Sequence, residues 1–421
     1  MGDDQQRQLL RTMLDAAIDA ATPHRLIKSY LPVKPKGRTI VLGAGKASAA
    51  MAREVDKHMP GDVQGLVVTR YGHAVSCDRI DIVEAAHPVP DEAGRSAAAR
   101  ILKLAEDATA DDLVLCLISG GASALLSLPA DGLTLNDKQA LNRALLESGA
   151  DITQMNTVRK HLSSIKGGRL AAAVHPAKLV TLLISDVPGD DPAVVGSGPT
   201  VPDPSTFKDA TEIVSRFGIT KPKKVIDHLA LGKNETPKPD DPRLAGIETH
   251  LIATPQASLE AATAIALDHG IRPIVLGDSI EGEARDVAKV MAGIAKQVQK
   301  HAQPAMPPCV LLSGGETTVT VKGKGRGGRN TEFLLALAIQ LAGAKTVYAL
   351  AADTDGIDGS EDNAGAIVTP DTLRRAVDLG LNPKSALDDN DGYCFFEKLN
   401  DLVTTGPTLT NVNDFRAILV L

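Results

Sequence analysis

Three features of the 421-residue sequence predict an α/β protein of two domains. Apolar runs of strand length alternate with stretches of helical period along the whole chain, the pattern of doubly wound parallel sheets. Aromatic residues make up only 2% and Trp is absent, so the core must be filled by Ala, Val, Leu and Ile, as in sheets covered on both faces. The chain also exceeds what one ordinary core supports, and a charged, Pro-rich stretch over residues 234–246 suggests a boundary. An N-terminal domain over 1–240 and a C-terminal domain over 241–421 are therefore expected.

The elements follow in order. LLRTMLDAAIDAA spaces its apolar residues at three and four, which predicts a leading helix on the first domain. RTIVLGAGKASAAMAREVDKHM reads as strand, glycine turn and Ala-rich helix, and GLVVT as the next strand. A helix over 92–107 precedes DLVLCLISGGASALL, again a strand running into a glycine turn. A long helical stretch from Leu135 to Ala173 leads to KLVTLLISDVPGDDPAVVGSGPTVPDPSTF, a strand feeding a loop long enough to suggest function. Beyond the boundary, THLIATPQASLEAATAIALDHG opens a second α/β unit. After the break HAQPAMPP, CVLLSGGETTVTV repeats the strand that runs into Ser-Gly-Gly. Two such turns predict two anion-binding loops, with an active site in the cleft between domains.

Charge and cysteine usage narrow the class. A net charge of −7 disfavours a general nucleic-acid binder, because phosphate backbones are bound through summed positive charge. Cys77, Cys116, Cys309 and Cys394 lie far apart without metal-ligand spacing, so buried thiols are expected. MGDDQQRQLL lacks the basic and then apolar order of a signal peptide, and runs such as LVLCLI are far shorter than the roughly 20 residues that span a bilayer. A cytoplasmic protein with no membrane or nucleic-acid partner is expected.

Three kinds of motif carry chemistry. In the first turn, Gly43, Gly45, Lys46 and Ser48 combine close backbone approach, a helix N-terminus and a cation, which suits an anion. It is not a Walker A loop, whose first Gly would fall on Ile40. A dinucleotide fingerprint is nearer, but the next strand ends in Thr69 and Arg70 where a ribose-binding acid is wanted. Tight strand-to-helix packing would equally require the glycines.

Two cationic stretches follow. MNTVRKHLSSIKGGRL carries Arg159, Lys160, His161, Lys166 and Arg169, a set that suits a substrate carboxylate or a phosphate. In VKGKGRGGRN, Lys322, Lys324, Arg326 and Arg329 alternate with glycines ahead of an apolar helix, which suggests a loop wrapped on a polyphosphate. The acidic residues Asp186, Asp190, Asp353, Asp355 and Asp358 lie just past apolar strands, where α/β enzymes hold magnesium or a base. Asp and Gly also favour turns, so each cluster has a purely structural reading. The spacing around Asp353 does not fit an EF-hand, no G-x-S-x-G supports a hydrolase triad, and His87 stands alone.

Taken together, GAGKAS, HPVPDEAG, SGGASALL, MNTVRKHLSSIKGGRLA, SDVPGDDPAVVGSGPTVPDPSTF, SGGETTVTVKGKGRGGRN and TDGIDGSEDNAGA closely resemble the type-2 glycerate kinase family over nearly the whole chain. The resemblance implies a Rossmann-like N-terminal domain and a C-terminal domain containing the MOFRL region, about 308–416. It also implies phosphorylation of D-glycerate by ATP with Mg²⁺, generally to 2-phosphoglycerate. Carried over by motif, Lys46 and Arg329 become the catalytic pair, with Asp186 as the proposed base. Gly43, Gly45, Ser48, Ser119, Gly120, Gly121, Ser123, Asn156, Arg159 and Lys166 become substrate or nucleotide contacts in the first half. Ser313, Gly314, Gly315, Glu316, Lys324 and Asn330 do so in the second. Asp190, Asp353 and Asp355 are assigned to metal, and a homo-oligomer is compatible with the family. Two rival readings remain: an NAD(P)H-dependent hydroxypyruvate reductase, a label many members have carried, and a non-catalytic sugar-phosphate sensor.

Overall fold

The computed structural model describes residues 3–421, which divide into two compact units. The N-terminal unit comprises Pro23–Asp186 and Asp190–Ile252. The C-terminal unit takes the residues up to Thr22, Val187–Gly189 and Ala253–Leu421. Among the described residues no helix is long and apolar enough to cross a membrane.

The sheet of the N-terminal unit contains β1 (Thr39–Ala44), β2 (Val63–Arg70), β3 (Ile80–Ala85), β4 (Leu113–Ile118), β5 (Lys178–Ile184) and β6 (Glu248–Ala253), in the order β3-β2-β1-β4-β5-β6. β1 to β5 pair in parallel. Every residue of β1 and β4 is buried, which is why both read as unbroken apolar runs. The strand order reverses between these two, and ligands of doubly wound sheets gather at the carboxyl ends of such a pair. Between β4 and β6 the chain adds helices Leu135–Glu147, Ile152–His161, Phe207–Arg216 and Lys223–Leu231, which share their own apolar core of Leu141, Leu145, Met155, Val158, Phe207 and Leu229.

In the C-terminal unit, β7 (Arg272–Gly277), β9 (Cys309–Ser313), β11 (Val347–Asp353), β12 (Gly365–Val368), β13 (Leu402–Val403) and β14 (Asp414–Val420) form a mixed sheet in the order β13-β12-β11-β14-β9-β7. Only β7 and β9 pair in parallel; the other pairings are antiparallel. Two short strands, β8 (Gly282–Glu283) and β10 (Thr317–Thr318), pair separately. Strand alternation divides the core: Leu311, Ala349, Ala351, Ile418 and Val420 join one apolar cluster, while Val310, Leu312, Leu350, Ala417 and Leu419 join the other.

The segmentation differs from the sequence expectation in two places. Helix Asp3–Ala20 packs through Leu10, Met13, Leu14 and Ala17 on Leu259, Ala262 and Ala266, so it belongs to the C-terminal unit. β6, expected to open the second domain, instead completes the first sheet. The Pro-rich stretch before it is not a free linker, because the Glu235 carboxylate accepts from the Phe207 N–H at 2.9 Å and lies 2.9 Å from His161 Nε2. Local composition marks where a regular element stops, but which sheet the next strand joins is a long-range matter.

Candidate active site

The first glycine turn and the first Ser-Gly-Gly turn leave the adjacent strands β1 and β4 and lock onto one another. Gly45 donates to the Val68 carbonyl, Lys46 to the Gly120 carbonyl at 2.8 Å, and the Ala47 N–H to Ser119 Oγ at 3.0 Å. Ser48 Oγ donates to the Leu117 carbonyl and lies 3.1 Å from Ser119 Oγ, with both side chains fully buried. A side chain at Gly45, φ +139°, would meet Ser119 Oγ at 2.1 Å, and one at Gly43 would meet the Leu117 carbonyl at 2.2 Å. The N–H groups of Gly45, Lys46, Ala47 and Ser119 and the hydroxyls of Ser48 and Ser119 are thus engaged between strand ends and turns, and Gly43 is needed for close packing. Gly43, Gly45, Ser48 and Ser119 are therefore placed to position the site, while Gly120 contributes its carbonyl to that lock. The Lys46 side chain is half-buried near Gly121, where an added Cβ would lie 3.5 Å from Lys46 Cγ and 3.0 Å from the His87 ring.

Around Gly121 opens a cavity of about 430 Å³ between the ends of the sheet and the helical layer. Its cations are Lys138, Arg143, Arg159 and Lys166, and Ser123 lies on its wall. Lys166 Nζ donates to Ser123 Oγ at 3.0 Å and to the Ser123 carbonyl. Ser123 Oγ lies 2.8 Å from Ser197 Oγ, which donates to Asn156 Oδ1, so buried Asn156 supports the wall from one layer behind. Arg159 Nε donates to Asn142 Oδ1 at 2.7 Å, and the buried Lys138 Nζ has no hydrogen-bond partner.

None of Lys138, Arg159 and Lys166 feels a carboxylate. Burial, and then Arg159, pushes Lys138 down to about 7. Burial also lowers Arg159, and burial together with Lys138 and Arg159 holds Lys166 well below the ordinary lysine value. Confined cations without counter-charges are costly to an empty protein and attractive to an anion. The remaining basic residues of the same stretch are structural. Lys160 is buried 3.5 Å from Asp203, His161 lies between the Thr157 carbonyl and Glu235, and Arg169 donates to the Asn234 carbonyl.

Arg329 of the C-terminal unit sits in the opposite environment. It opens helix Arg329–Leu341, with Nε donating to Asp414 Oδ1 and Nη2 to Asp353 Oδ2, each at 2.7 Å, and Nη1 3.5 Å from Glu316. The antiparallel register places Asp353 of β11 opposite Asp414 of β14, so the sheet itself builds this carboxylate pair. Burial acts to lower the arginine, but Asp414, Asp353 and Glu316 outweigh it and hold the guanidinium well above its ordinary value. Asn330 is fully buried; its side-chain amide donates to Asp414 at 2.8 Å, and its backbone N–H to Asp358 at 2.9 Å. Asp358 also accepts from the Thr331 N–H and hydroxyl, so this acid caps the helix.

Two further expectations are corrected here. The backbone of the VKGKGRGG loop is bound by an acidic segment: Lys322 and Gly323 donate to Asn390 Oδ1, Lys324 to Asp389 Oδ1 and Arg326 to Asp391 Oδ1. Its glycines allow that approach, since a Cβ at Gly323 would meet the Asp389 carbonyl at 2.2 Å. The Lys324 side chain is exposed, and Arg326 pairs with Glu361. The second Ser-Gly-Gly turn is likewise tied to its neighbours. Gly314 donates to the Gly277 carbonyl, its own carbonyl accepts from Ile280 and Arg416, and Gly315 accepts from Asp414. Ser313 ends β9 in register with Arg416, and the chain continues into β10 instead of a helix. A cavity of about 270 Å³ remains beside Gly325, Gly327, Gly328 and Arg329.

The acids do not form the expected metal site. Asp353 is committed to Arg329 and to the Asp355 N–H, and Asp355 accepts from the Ile357 N–H at 2.9 Å. Asp186 and Asp190 are half-buried in the loop after β5, Asp190 at φ +54°. Among the described residues no group of three or more His, Cys, Asp or Glu side chains could hold a metal. These acids therefore do not by themselves enclose an ion, and no step is derived through one; magnesium characteristically keeps several waters and binds through one or two carboxylates together with substrate phosphates.

Sequence reasoning passed over Lys138 and Arg143 and set His87 aside as a lone histidine, and all three line the cavity. The helical signal was present: Leu135, Lys138 or Gln139, Asn142 or Arg143, and Leu146 recur at three and four residues, and all line the cavity. On the other side of that helix Leu141 and Leu145 are buried in the helical layer.

Comparison with known proteins agrees with this architecture. Residues 9–230 match the family described as Domain of unknown function (DUF4147), and residues 309–414 match the MOFRL family. A protein of Agrobacterium vitis that bears the provisional name hydroxypyruvate reductase is 55% identical over 421 residues, covering 99% of this chain and 95% of its own. The D-glycerate 2-kinase of Thermotoga maritima is 41% identical over 410 residues, covering 97% of each chain. The crystal structure of glycerate kinase from Thermotoga maritima superposes with a TM-score of 0.90 at 40% identity, covering 99% of this chain and 100% of that one. The chain belongs to the glycerate kinase family, with a DUF4147 N-terminal part and a MOFRL C-terminal part.

Proposed function

We propose that the protein transfers the γ-phosphoryl group of ATP to the 2-hydroxyl of D-glycerate, releasing ADP and 2-phosphoglycerate. The observation that carries this reading is the cavity at the ends of β1 and β4, where Lys138, Arg159 and Lys166 lack any carboxylate and Lys46 stands nearby. In the transfer, the hydroxyl oxygen bonds to the γ-phosphorus, the bond to the bridging oxygen breaks, and its electron pair leaves with ADP. Catalysis of this kind is mostly positioning and neutralisation of spreading charge. Lys46 supplies charge in the N-terminal unit. Arg329 is pre-organised by two carboxylates and offers Nη1, its least engaged nitrogen, to an anionic group. Asp186 takes the hydroxyl proton, and magnesium enters as part of the nucleotide substrate.

The experiment is ADP release on mixing protein, MgATP and D-glycerate, with proton–phosphorus NMR of the product to identify the esterified hydroxyl. Absence of ADP release would defeat the proposal, and a 3-phosphate product would correct the hydroxyl. Asp186→Asn should retain ATP and glycerate binding while slowing turnover; unchanged turnover would remove Asp186 from the reaction.

A second reading, hydroxypyruvate reduction by NAD(P)H, is favoured by the name of the 55%-identical relative. The geometry speaks against it. A dinucleotide turn needs free N–H groups for the pyrophosphate, whereas those of Gly45, Lys46 and Ala47 are bonded internally. NADH or NADPH oxidation with hydroxypyruvate, run beside the ADP assay, separates the two.

A further inference from the structure

We infer that the cavity of the N-terminal unit is the nucleotide pocket, with Lys138, Arg159 and Lys166 meeting the phosphates and Val89, Leu135 and Leu146 flanking the base. The inference rests on the kinase reading and assigns which of its two substrates this cavity holds.

Size comes first. At about 430 Å³ the cavity falls in the range of about 300–1,000 Å³ that encloses a drug-sized ligand, several times the bulk of a three-carbon acid. Wall chemistry agrees. Pro88, Val89, Pro90, Leu135 and Leu146 line the cavity, and Val89 and Leu146 are 62% and 61% exposed, although burial of such side chains is favourable. Glycerate, a polyhydroxylated acid, has no apolar surface to cover them, whereas a purine has two apolar faces.

Charge is the third argument. Three basic side chains, Lys138, Arg159 and Lys166, line the cavity with no carboxylate beside them, and a polyphosphate has enough charged oxygens to engage all three at once, whereas one substrate carboxylate does not. A di- or triphosphate matches the set. Lys138 adds what the family motifs did not mark: its buried Nζ has no protein partner, and it projects from the same helix as Leu146, two turns away. One helix thus presents a cation and an apolar side chain to opposite ends of one elongated ligand.

The test uses ADP binding in the absence of glycerate, followed by calorimetry, for the wild type, Lys138→Gln and Leu146→Asp. Leu146 is exposed, so its replacement should leave the fold intact, and circular dichroism checks both variants. Each substitution should weaken ADP by about tenfold or more, the scale of losing a charge-assisted or buried apolar contact, while the KM for glycerate stays within about twofold. Tripolyphosphate should bind more weakly to Lys138→Gln but equally to Leu146→Asp. The assignment is overturned if the wild type does not bind ADP, if ADP binding is unchanged in folded variants, or if the glycerate KM rises instead. ADP release from ATP and glycerate by the wild type in the last two cases would leave the kinase reading standing and remove only the assignment.

Discussion

In the N-terminal unit Lys138, Arg159 and Lys166 share a cavity without a carboxylate, whereas in the C-terminal unit Arg329 lies between Asp414, Asp353 and Glu316. The sequence suggests the reverse ranking, since VKGKGRGGRN is the densest cationic run in the chain. In that run both arginines are paired with acids, Arg326 with Glu361 and Arg329 with Asp353 and Asp414, and Asp389 and Asp391 hold the loop by its backbone N–H groups. The cavity cations come from two helices and the turn after them: a cationic stretch announces Arg159 and Lys166, but nothing local announces Lys138 or Arg143. Demand for an anion is thus set by which charges the fold leaves without partners. An arginine fixed by carboxylates serves as a positioned donor, while clustered cations without acids form a binding site.

The largest effect expected is on turnover. Lys46→Met should lower the rate of ADP release by about 10²–10³-fold, the scale of removing one donor to developing charge, with little change in thermal midpoint. Near wild-type turnover would take Lys46 out of the chemistry.

The contrast itself is broken most directly by a matched pair. Arg329→Met leaves Asp353 and Asp414 buried without their guanidinium and should cost about 3–5 kcal/mol in urea unfolding. Arg159→Met removes a buried cation that no acid offsets, so stability should hold or rise while ADP binding is lost. Equal destabilisation by both would show that the cavity cations are paired in solution.

A smaller effect belongs to the helix cap. Asp358→Ala strands the buried N–H groups of Asn330 and Thr331, at a cost of about 1–3 kcal/mol for the first unsatisfied group. Urea unfolding measures this, and a loss below that range would mean that water replaces the carboxylate.

The smallest effect is a pH dependence. Lys138 faces Arg143, Arg159, Lys166 and His87 across the cavity, and burial brings it down to about 7. Its charged form attracts the nucleotide, so ADP affinity should be greatest below pH 7 and fall above it, by at most about tenfold per pH unit. Stability runs the other way. A lysine depressed on folding releases its proton, so the empty protein should gain stability as pH rises from about 7 toward the ordinary lysine value of about 10.4. Lys166, held low by the same burial, adds to both trends, so Lys138→Gln should weaken each and Lys138→Gln combined with Lys166→Gln should remove them; persistence in the double variant would assign them to another group.

Much of this was legible before any coordinates. The buried runs TIVLGA and LVLCLI mark central parallel strands because both faces are covered, and their residues are buried throughout. Arg159 and Lys166 were marked by their motif and do reach the cavity. The role of the glycines was less legible, because close approach to a phosphate and close approach to another strand end require the same residue. At Gly45 the neighbour is Ser119, at Gly323 it is Asp389, and neither pairing is local in sequence.

The sequence by itself determined the α/β class, the strands and the identities of the charged side chains, since hydrophobic period and turn chemistry are properties of short windows. Tertiary structure alone decided that β6 joins the first sheet and helix Asp3–Ala20 the second. It also decided that Arg329 meets acids and that Lys138 meets none. Whether a buried charge is satisfied depends on partners that the fold brings from far along the chain, 85 residues away for Arg329 and Asp414, a distance no local pattern encodes.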